Sequence, residues 1–285
     1  MIDLHVHSNC SDGTLTPTEV VQLAYKTGLS AIALTDHDTV SGIAEAKEAA
    51  RQYATAAPLQ VISGTEISAA YKNRDIHILG LFVDETNEIL KKDLADAISA
   101  RDQRNERMAE RFRSLGIPVT LDELCRENPK TVITRAHFAK FLAENHYVKS
   151  REEAFTRYLG YDAPCFVPRE YMQPEHAIEI ILAAGGIPVL AHPLLYHLES
   201  AELHSLITRL RDAGLIGLEV YYSSFSTSEQ ELLAGIANHY GLLKTGGTDF
   251  HGANKPNLYL GTGRNNNLSI PDSVLVPLCQ HLGKC

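Results

Sequence analysis

Two histidines one residue apart, His5 and His7, stand near the start of the chain. On a strand, side chains two residues apart share a face, so both imidazoles project together. Asp12 follows in a Ser-Asp-Gly turn, and the chain then repeats the theme in Thr35-Asp36-His37-Asp38, Gly64-Thr65-Glu66, His77, Ala191-His192-Pro193 and Thr248-Asp249-Phe250-His251. One HxH pair in a chain with 13 histidines is common by chance. Its recurrence beside carboxylates is not. Imidazole and carboxylate donors together suit zinc, manganese or iron. The candidates are His5, His7, Asp12, His37, Glu66, His77, His192, Asp249 and His251. They exceed the needs of one ion and suit two or three ions sharing a bridging carboxylate.

Seven short runs must position these residues as strands: Ile2–His7, Ala31–Thr35, Gln60–Ser68, Ile76–Val83, Ile187–Ala191, Gly217–Tyr221 and Leu242–Thr248. Most are apolar and bounded by Gly, Asp or Pro, as buried parallel strands are. Nearly every one delivers a His, Asp or Glu near one end, and parallel α/β proteins place their sites at the carboxyl ends of strands. Helices lie between. Thr16-Pro17-Thr18-Glu19 opens one, with a threonine N-cap, proline at the first helical position and a capping-box glutamate. Pro174-Glu175 and Ser226–Glu229 open others in the same way. This alternation predicts an α/β fold, either a parallel barrel or a doubly wound sheet.

The alternation breaks between residues 101 and 168, where Arg101–Leu115, Leu121–Arg126, Arg135–Asn145 and Ser150–Leu159 read as helices with no strand between them. The expected division is therefore a metal-binding barrel from 1–100 and 169–285, and a helical insertion from 101–168 that covers the site. Charge divides similarly. Residues 101–176 carry 13 Lys+Arg and 12 Asp+Glu, a net of +1, against 13 and 23 elsewhere, a net of −10. Ten of the 15 arginines fall in that stretch. Arginine grips phosphate bidentately, which lysine does not.

The 285 residues are 44% hydrophobic and 21% charged, which excludes a disordered, collagenous or coiled-coil chain. A chain of this length buries roughly three quarters of its unfolded surface and needs no staples. The formal charge of −9 removes a global field for gripping duplex DNA. The longest nearly apolar stretch, Ala177 to Ala191, is interrupted and shorter than the roughly 20 residues that span a bilayer, so no membrane partner is expected. Polar residues from Asp3 onward leave no room for an ordinary signal peptide. Five cysteines (Cys10, Cys125, Cys165, Cys279, Cys285) without a CxxC pair read as reduced thiols, and a cytoplasmic location is expected. Cys10, although close to the histidine motif, reads as a bystander.

His5-Val6-His7-Ser8, Ser11-Asp12-Gly13, Thr35-Asp36-His37-Asp38, Gly64-Thr65-Glu66, His77-Ile78-Leu79-Gly80, Ala191-His192-Pro193 and Gly247-Thr248-Asp249-Phe250-His251 resemble the motifs of the PHP (polymerase and histidinol phosphatase) metallohydrolases. The likeness runs from residue 2 to about residue 260 and departs from the ligand pattern nowhere. Within that family the chain looks most like the stand-alone branch with a helical insertion after the fourth strand, which includes nucleoside 3′,5′-bisphosphate phosphatases and 5′-to-3′ exoribonucleases of short RNA. The resemblance implies a distorted (β/α)7 barrel and a three-ion centre, with manganese as the usual metal and zinc or iron as alternatives. It also implies an assignment: His5, His7, Glu66 and Asp249 on the first ion, Glu66, His77 and His192 on the second, and Asp12, His37 and His251 on the third. Phosphate monoester hydrolysis is among the slowest uncatalysed reactions. The expected nucleophile is a hydroxide bridging the first two ions, held by His5, His7, Glu66, Asp249, His77 and His192.

Around this centre, the family branch implies that Arg135 contacts a phosphate. Arg101, Arg104 and Arg111 share a helical face, and one or two of them are expected to reach substrate. Ser224 is a candidate phosphate donor with Ser223, and Tyr222 a candidate for stacking on a base. Tyr221 and Phe138 could stack on a base as well, and core packing is the plainer role of all three. Asp36 and Glu219 are expected to orient ligand histidines, while Asp38 could equally serve a turn. His137 reads as a partly buried helix residue. The expected substrate is a small nucleotide, a nucleoside 3′,5′-bisphosphate cleaved to the 5′-monophosphate and phosphate. The alternatives are exonucleolytic cleavage of short 5′-phosphorylated RNA, a histidinol phosphatase and a non-catalytic metal-binding module. Oligomeric state is not legible in the sequence.

Overall fold

The computed structural model describes residues 1–285 apart from 53–57, 73, 162, 169–171, 284 and 285. The expected boundary at 169, and Cys285, lie outside the described residues. One seven-stranded sheet runs in chain order: β1 (Ile2–Val6), β2 (Ala31–Leu34), β3 (Gln60–Tyr71), β4 (Arg74–Leu81), β5 (Ile187–Leu190), β6 (Gly217–Tyr222) and β7 (Leu243–Gly247). Beyond the last strand, His7 N–H donates to the Phe250 carbonyl at 2.9 Å and Asp249 N–H to the His5 carbonyl at 2.9 Å. These bonds draw the two edges together, so the sheet is a nearly closed barrel.

Pairing departs from the all-parallel expectation in one place. β1, β2 and β3 pair in parallel, as do β5, β6 and β7, but β4 is antiparallel to both neighbours. The reason is chain length. Only two residues separate Tyr71 from Arg74, whereas a parallel crossover needs about a dozen. The reversal brings the start of β4 to the rim where the other strands end. His77 pairs across from Ser68, and Leu79 from Glu66, so Glu66 and His77 are diagonal neighbours on one face of the hairpin.

The closure leaves no room beside His5. A Cβ on Gly247 would stand 2.3 Å from the His5 Cβ and 2.4 Å from its backbone nitrogen. Gly247→Ala is therefore expected to push β7 off β1 and lower stability by about 1–3 kcal/mol. Urea unfolding checks this, and an unchanged midpoint would contradict it.

The helices are α1 (Pro17–Thr27), α2 (Ile43–Arg51), α3 (Glu88–Ser114), α4 (Leu121–Leu124), α5 (Arg135–Glu144), α6 (Arg151–Ala154), α7 (Pro174–Ala183), α8 (Ser200–Asp212), α9 (Thr227–Tyr240) and α10 (Leu275–His281). Capping boxes at Thr16 with Glu19 and at Ser226 with Glu229 start α1 and α9. A π-helical turn, Phe155–Leu159, continues α6. α3 is one continuous helix. Its first turns put Leu90 and Leu94 into the cluster formed with Ile76, Ile78 and Ile181 beside the sheet. Its last turns put Met108, Ala109 and Phe112 into a separate cluster with Phe138, Leu142 and Leu159. Residue 101 lies midway along this helix. Phe138 is fully buried and stacks on Phe112 with centroids 5.7 Å apart, a core role. Among the described residues, no helix is long and apolar enough to cross a membrane.

Candidate metal centre

The nine expected residues converge on one buried rim. Glu66 is the hub. Its Oε2 lies 3.2 Å from His7 Nε2, 3.4 Å from His5 Nε2 and 3.1 Å from His37 Nδ1, and its Oε1 lies 2.7 Å from His77 Nδ1 and 3.0 Å from His192 Nε2. Asp249 Oδ1 adds a second bridge, 3.5 Å from His5 Nε2 and 3.3 Å from His7 Nε2. His251 Nε2 faces Asp12 Oδ1 at 3.0 Å, with His37 Nε2 3.8 Å from Asp12 Oδ2. Three overlapping groups can each hold an ion: His5, His7, Glu66 and Asp249; His37, Glu66 and His77; and His7, Asp12, His37 and His251. His37 borders two of them, and His192 joins the second through Glu66.

These spacings fit metal coordination. Donors held about 2.0–2.2 Å from one ion at angles near 90–110° stand about 2.8–3.6 Å apart. His5 Nε2, His7 Nε2, His37 Nδ1 and Asp12 Oδ1 are buried with no hydrogen-bond partner. Buried polar atoms of this kind are costly unless something satisfies them, and a cation between them does so.

Neighbouring groups aim the donors. Glu219 accepts from His5 Nδ1 at 2.9 Å and from the His192 backbone N–H at 2.7 Å, which leaves His5 Nε2 facing the carboxylates. Tyr222 donates to Asp249 Oδ2 at 2.6 Å, and Lys255 Nζ bonds the same oxygen, so Oδ1 is left toward His5 and His7. Thr134 donates to Asp12 Oδ2 at 3.0 Å, leaving Oδ1 for His251. Two of the candidate ligands, His192 (φ 25) and Asp249 (φ 57), hold left-handed backbone. Such strain persists where surrounding structure over-determines it.

Electrostatics prepare the set for cations. Burial opposes charge on Glu66, but the imidazoles of His77, His37 and His5 outweigh it and hold the carboxyl well below the usual range. Asp249, against the same burial, is held down by Lys255 and His5, and Asp12 by His251 and His37. Burial drops His37 to about 3. His7 is the opposite case: burial opposes its charge, but the facing carboxylates of Asp249 and Glu66 lift it to about 9. His5 is also raised, chiefly by Glu219 and Glu66 against burial. A ligating nitrogen must be deprotonated. Metal loading is therefore expected to release protons at any pH below about 9, where His7 carries its proton, and apparent affinity should climb with pH across that range. Calorimetry in two buffers of different ionisation enthalpy reads the proton count; identical heats would contradict the expectation.

The residues expected to hold substrate divide. Arg101, Arg104 and Arg135 line a cavity of about 150 Å³ with Ser68, Asp12, His37 and His77. Arg101 is buried and bonds Asp38 and Ser68, and Arg135 bonds Asp75 at 2.7 Å. Arg111 instead bonds the Phe166 carbonyl at 2.5 Å, away from the rim. Ser224 is exposed in the turn after β6 and lines none of the cavities over the cluster, because that turn directs Ser223 inward to the Thr248 carbonyl. Tyr222 is buried, lines the space over the cluster, and commits its hydroxyl to Asp249, so it braces a candidate ligand.

Asp36 reaches no histidine directly. It accepts from Ser8 N at 2.8 Å and Ser11 Oγ at 2.6 Å, and Ser11 Oγ lies 3.4 Å from His7 Nδ1. Asp38 is buried and holds Arg101 as well as the Ser68 N–H, more than a turn role. His137 caps its own helix. Burial raises the Cys10 thiol, as a bystander's would be. Cys10, Cys125 and Cys165 are free thiols.

Three supports escaped sequence reasoning. Lys255 carries no motif, Asp3 anchors Thr248 and Gly261 from below the rim, and Thr134 stands just before α5 with nothing in its neighbours to mark it as a support for Asp12.

A second cavity, of about 370 Å³, lies over the cluster between Phe155, Leu195, Arg151 and Lys255.

The PHP domain model matches residues 3–187. The chain is 36% identical over 273 residues to a 5′-3′ exoribonuclease of Haemophilus influenzae, covering 96% of each. It is 35% identical over 252 residues to a 3′,5′-nucleoside bisphosphate phosphatase of Chromobacterium violaceum, covering 88% of this chain and 87% of that one. A solved structure of an amidohydrolase from Chromobacterium violaceum, with bound sulfate and no metal, has a TM-score of 0.85 at 32% identity over 96% of each chain.

Proposed function

Because the chain belongs to the PHP family and is a metal-dependent phosphoesterase, we propose that it removes the 3′-phosphate of nucleoside 3′,5′-bisphosphates, giving the 5′-monophosphate and phosphate. The observation that carries this is the arginine-lined cavity beside the histidine cluster. One anionic group can sit among Arg101, Arg104 and Arg135 while a second lies on the metal rim. A substrate with a single phosphate has no use for both. Sulfate in the Chromobacterium violaceum neighbour supports oxyanion binding in this fold.

Manganese is the proposed metal, and His5, His7, Asp12, His37, Glu66, His77, His192, Asp249 and His251 its ligands. When bound, divalent ions supply Lewis-acid polarisation of phosphoryl oxygens and a nucleophile at neutral pH. The chain does the rest. Glu219 and Ser11 orient His5 and His7, Tyr222 and Lys255 turn Asp249, and Thr134 turns Asp12. The guanidiniums hold the distal phosphate by charge-assisted hydrogen bonds, which converts binding into positioning of the scissile ester.

A second reading, exonucleolytic cleavage of short 5′-phosphorylated RNA, is favoured by a further cavity of about 380 Å³ beyond Asp12, lined by Asn9, Ser11, Asn128 and Asn254. It has room for a second nucleotide. Glu123, Glu127 and Glu144 line it together with Arg126 and Lys140, and Lys140 pairs with Glu127 and Glu144, so it lacks the positive excess that would favour a polyanion over the smaller substrate.

Phosphate release from adenosine 3′,5′-bisphosphate by manganese-loaded protein tests the proposal. Adenosine 5′-monophosphate, histidinol phosphate and a 5′-phosphorylated RNA dinucleotide are run beside it. Fast release from the bisphosphate with the monophosphate inert is expected. Faster turnover of the dinucleotide would make it an exoribonuclease, and silence on all four would sink both readings.

A further inference from the structure

The two cavities that meet over the cluster share two apolar side chains, Ala136 and Phe155, and only Phe155 is large. Phe155 lines both the arginine pocket and the larger cavity above the metal rim. It is 37% exposed although it is a large aromatic residue, and Leu195, across the same cavity, is 41% exposed. They come from different parts of the chain. Phe155 begins the π-helical turn after α6, and Leu195 sits in the short 3₁₀ turn Pro193–Tyr196 that follows the candidate ligand His192. Such π-turns occur often at functional sites. Two apolar side chains left open to water over a charged centre gain nothing for the fold. They make sense as the walls of a slot for something flat and apolar on its faces.

We propose that Phe155 and Leu195 form the nucleobase subsite, with the base stacked on the Phe155 ring, the 5′-phosphate among the arginines on one side of that ring and the 3′-phosphate at the metal rim on the other. This rests on the nucleotide reading of the site. The Arg135 guanidinium lies 6.0 Å from the centroid of the same ring, which ties the stacking platform to the phosphate pocket. Three polar groups bordering the slot already have partners: Tyr222 and Lys255 on Asp249, and Arg151 on the Asn254 carbonyl at 2.9 Å. Asn254 Oδ1, buried without a hydrogen-bond partner, and Glu152 line the same cavity, so the slot takes a ring by its face and keeps an acceptor for a base amino group.

The test compares ligands with and without a base on three forms of the protein. Binding of adenosine 5′-monophosphate, cytidine 5′-monophosphate and ribose 5-phosphate to manganese-loaded wild type, Phe155→Ala and Phe155→Tyr is measured by calorimetry, alongside turnover of the corresponding 3′,5′-bisphosphates. Phe155→Ala should weaken both nucleotides about 5- to 150-fold. It should leave ribose 5-phosphate nearly unchanged, and Phe155→Tyr should restore nucleotide binding. Equal weakening of ribose 5-phosphate would overturn the subsite, since the ring would then matter only through Arg135. Undiminished nucleotide binding by Phe155→Ala would overturn it as well. If the monophosphates bind in a Phe155-dependent way but no bisphosphate is cleaved, the subsite stands and the proposed reaction falls.

Discussion

Glu66→Gln should lose at least one bound divalent ion and lower turnover on the order of 10³-fold or more, while the barrel stays folded. Five imidazoles approach this one carboxylate within 3.4 Å, through both of its oxygens. The amide keeps the volume but offers one acceptor oxygen and no charge. Several kcal/mol of transition-state stabilisation belong to a polarising ion, and about 1.4 kcal/mol is tenfold in rate. The fold should survive, because the hydrophobic clusters flanking the sheet do not include Glu66. Metal content by mass spectrometry, circular dichroism and phosphate release together check this. A variant with full metal content and activity within tenfold of wild type would remove Glu66 from the centre.

The second large effect is expected at the arginines. Arg104→Met and Arg135→Met should each raise KM for a nucleoside 3′,5′-bisphosphate about 10- to 150-fold, the equivalent of the roughly 1.5–3 kcal/mol carried by a hydrogen bond to a charged group. Neither should alter metal content, nor hydrolysis of a small aryl phosphate that lacks the second anion. Equal losses on both substrates would assign these residues to the fold instead. Arg101 is a poorer probe. It holds the buried carboxylate of Asp38, and removing one partner of a buried pair costs about 3–5 kcal/mol whatever the substrate.

Much of this arrangement is legible in the primary sequence. His5-Val6-His7 needs only strand geometry to put two imidazoles on one face, and Thr16-Pro17-Thr18-Glu19 needs only local capping chemistry to start α1. His77 was harder to place. A histidine near the beginning of a strand belongs at the wrong end of a parallel barrel, and only the tight β3–β4 hairpin carries it to the rim. Ser224 went the other way. It looked like a loop donor beside the site, but the turn after β6 spends Ser223 on the Thr248 carbonyl and leaves Ser224 outside. Tyr222 was recognisable as near the site, and its role was not: a tyrosine's hydroxyl bond to a carboxylate 27 residues away is not encoded in local spacing.

The sequence by itself determined the donor set, the strands that carry it and the helices that interrupt it. Those features depend on periodicity, caps and residue chemistry within a few neighbours, which chain order preserves. The tertiary structure alone decided which candidate donors stand together, which oxygen of Asp12 and Asp249 faces the other donors, which arginines of one helix look inward and which phenyl ring borders both cavities. Those are contacts between residues far apart in the chain, 245 positions in the bond from Thr248 to Asp3 and 258 in that from Gly261 to Asp3. They exist only once β7 has met β1 and the insertion has folded over the rim, because side-chain direction at long range is set by packing and not by spacing along the chain.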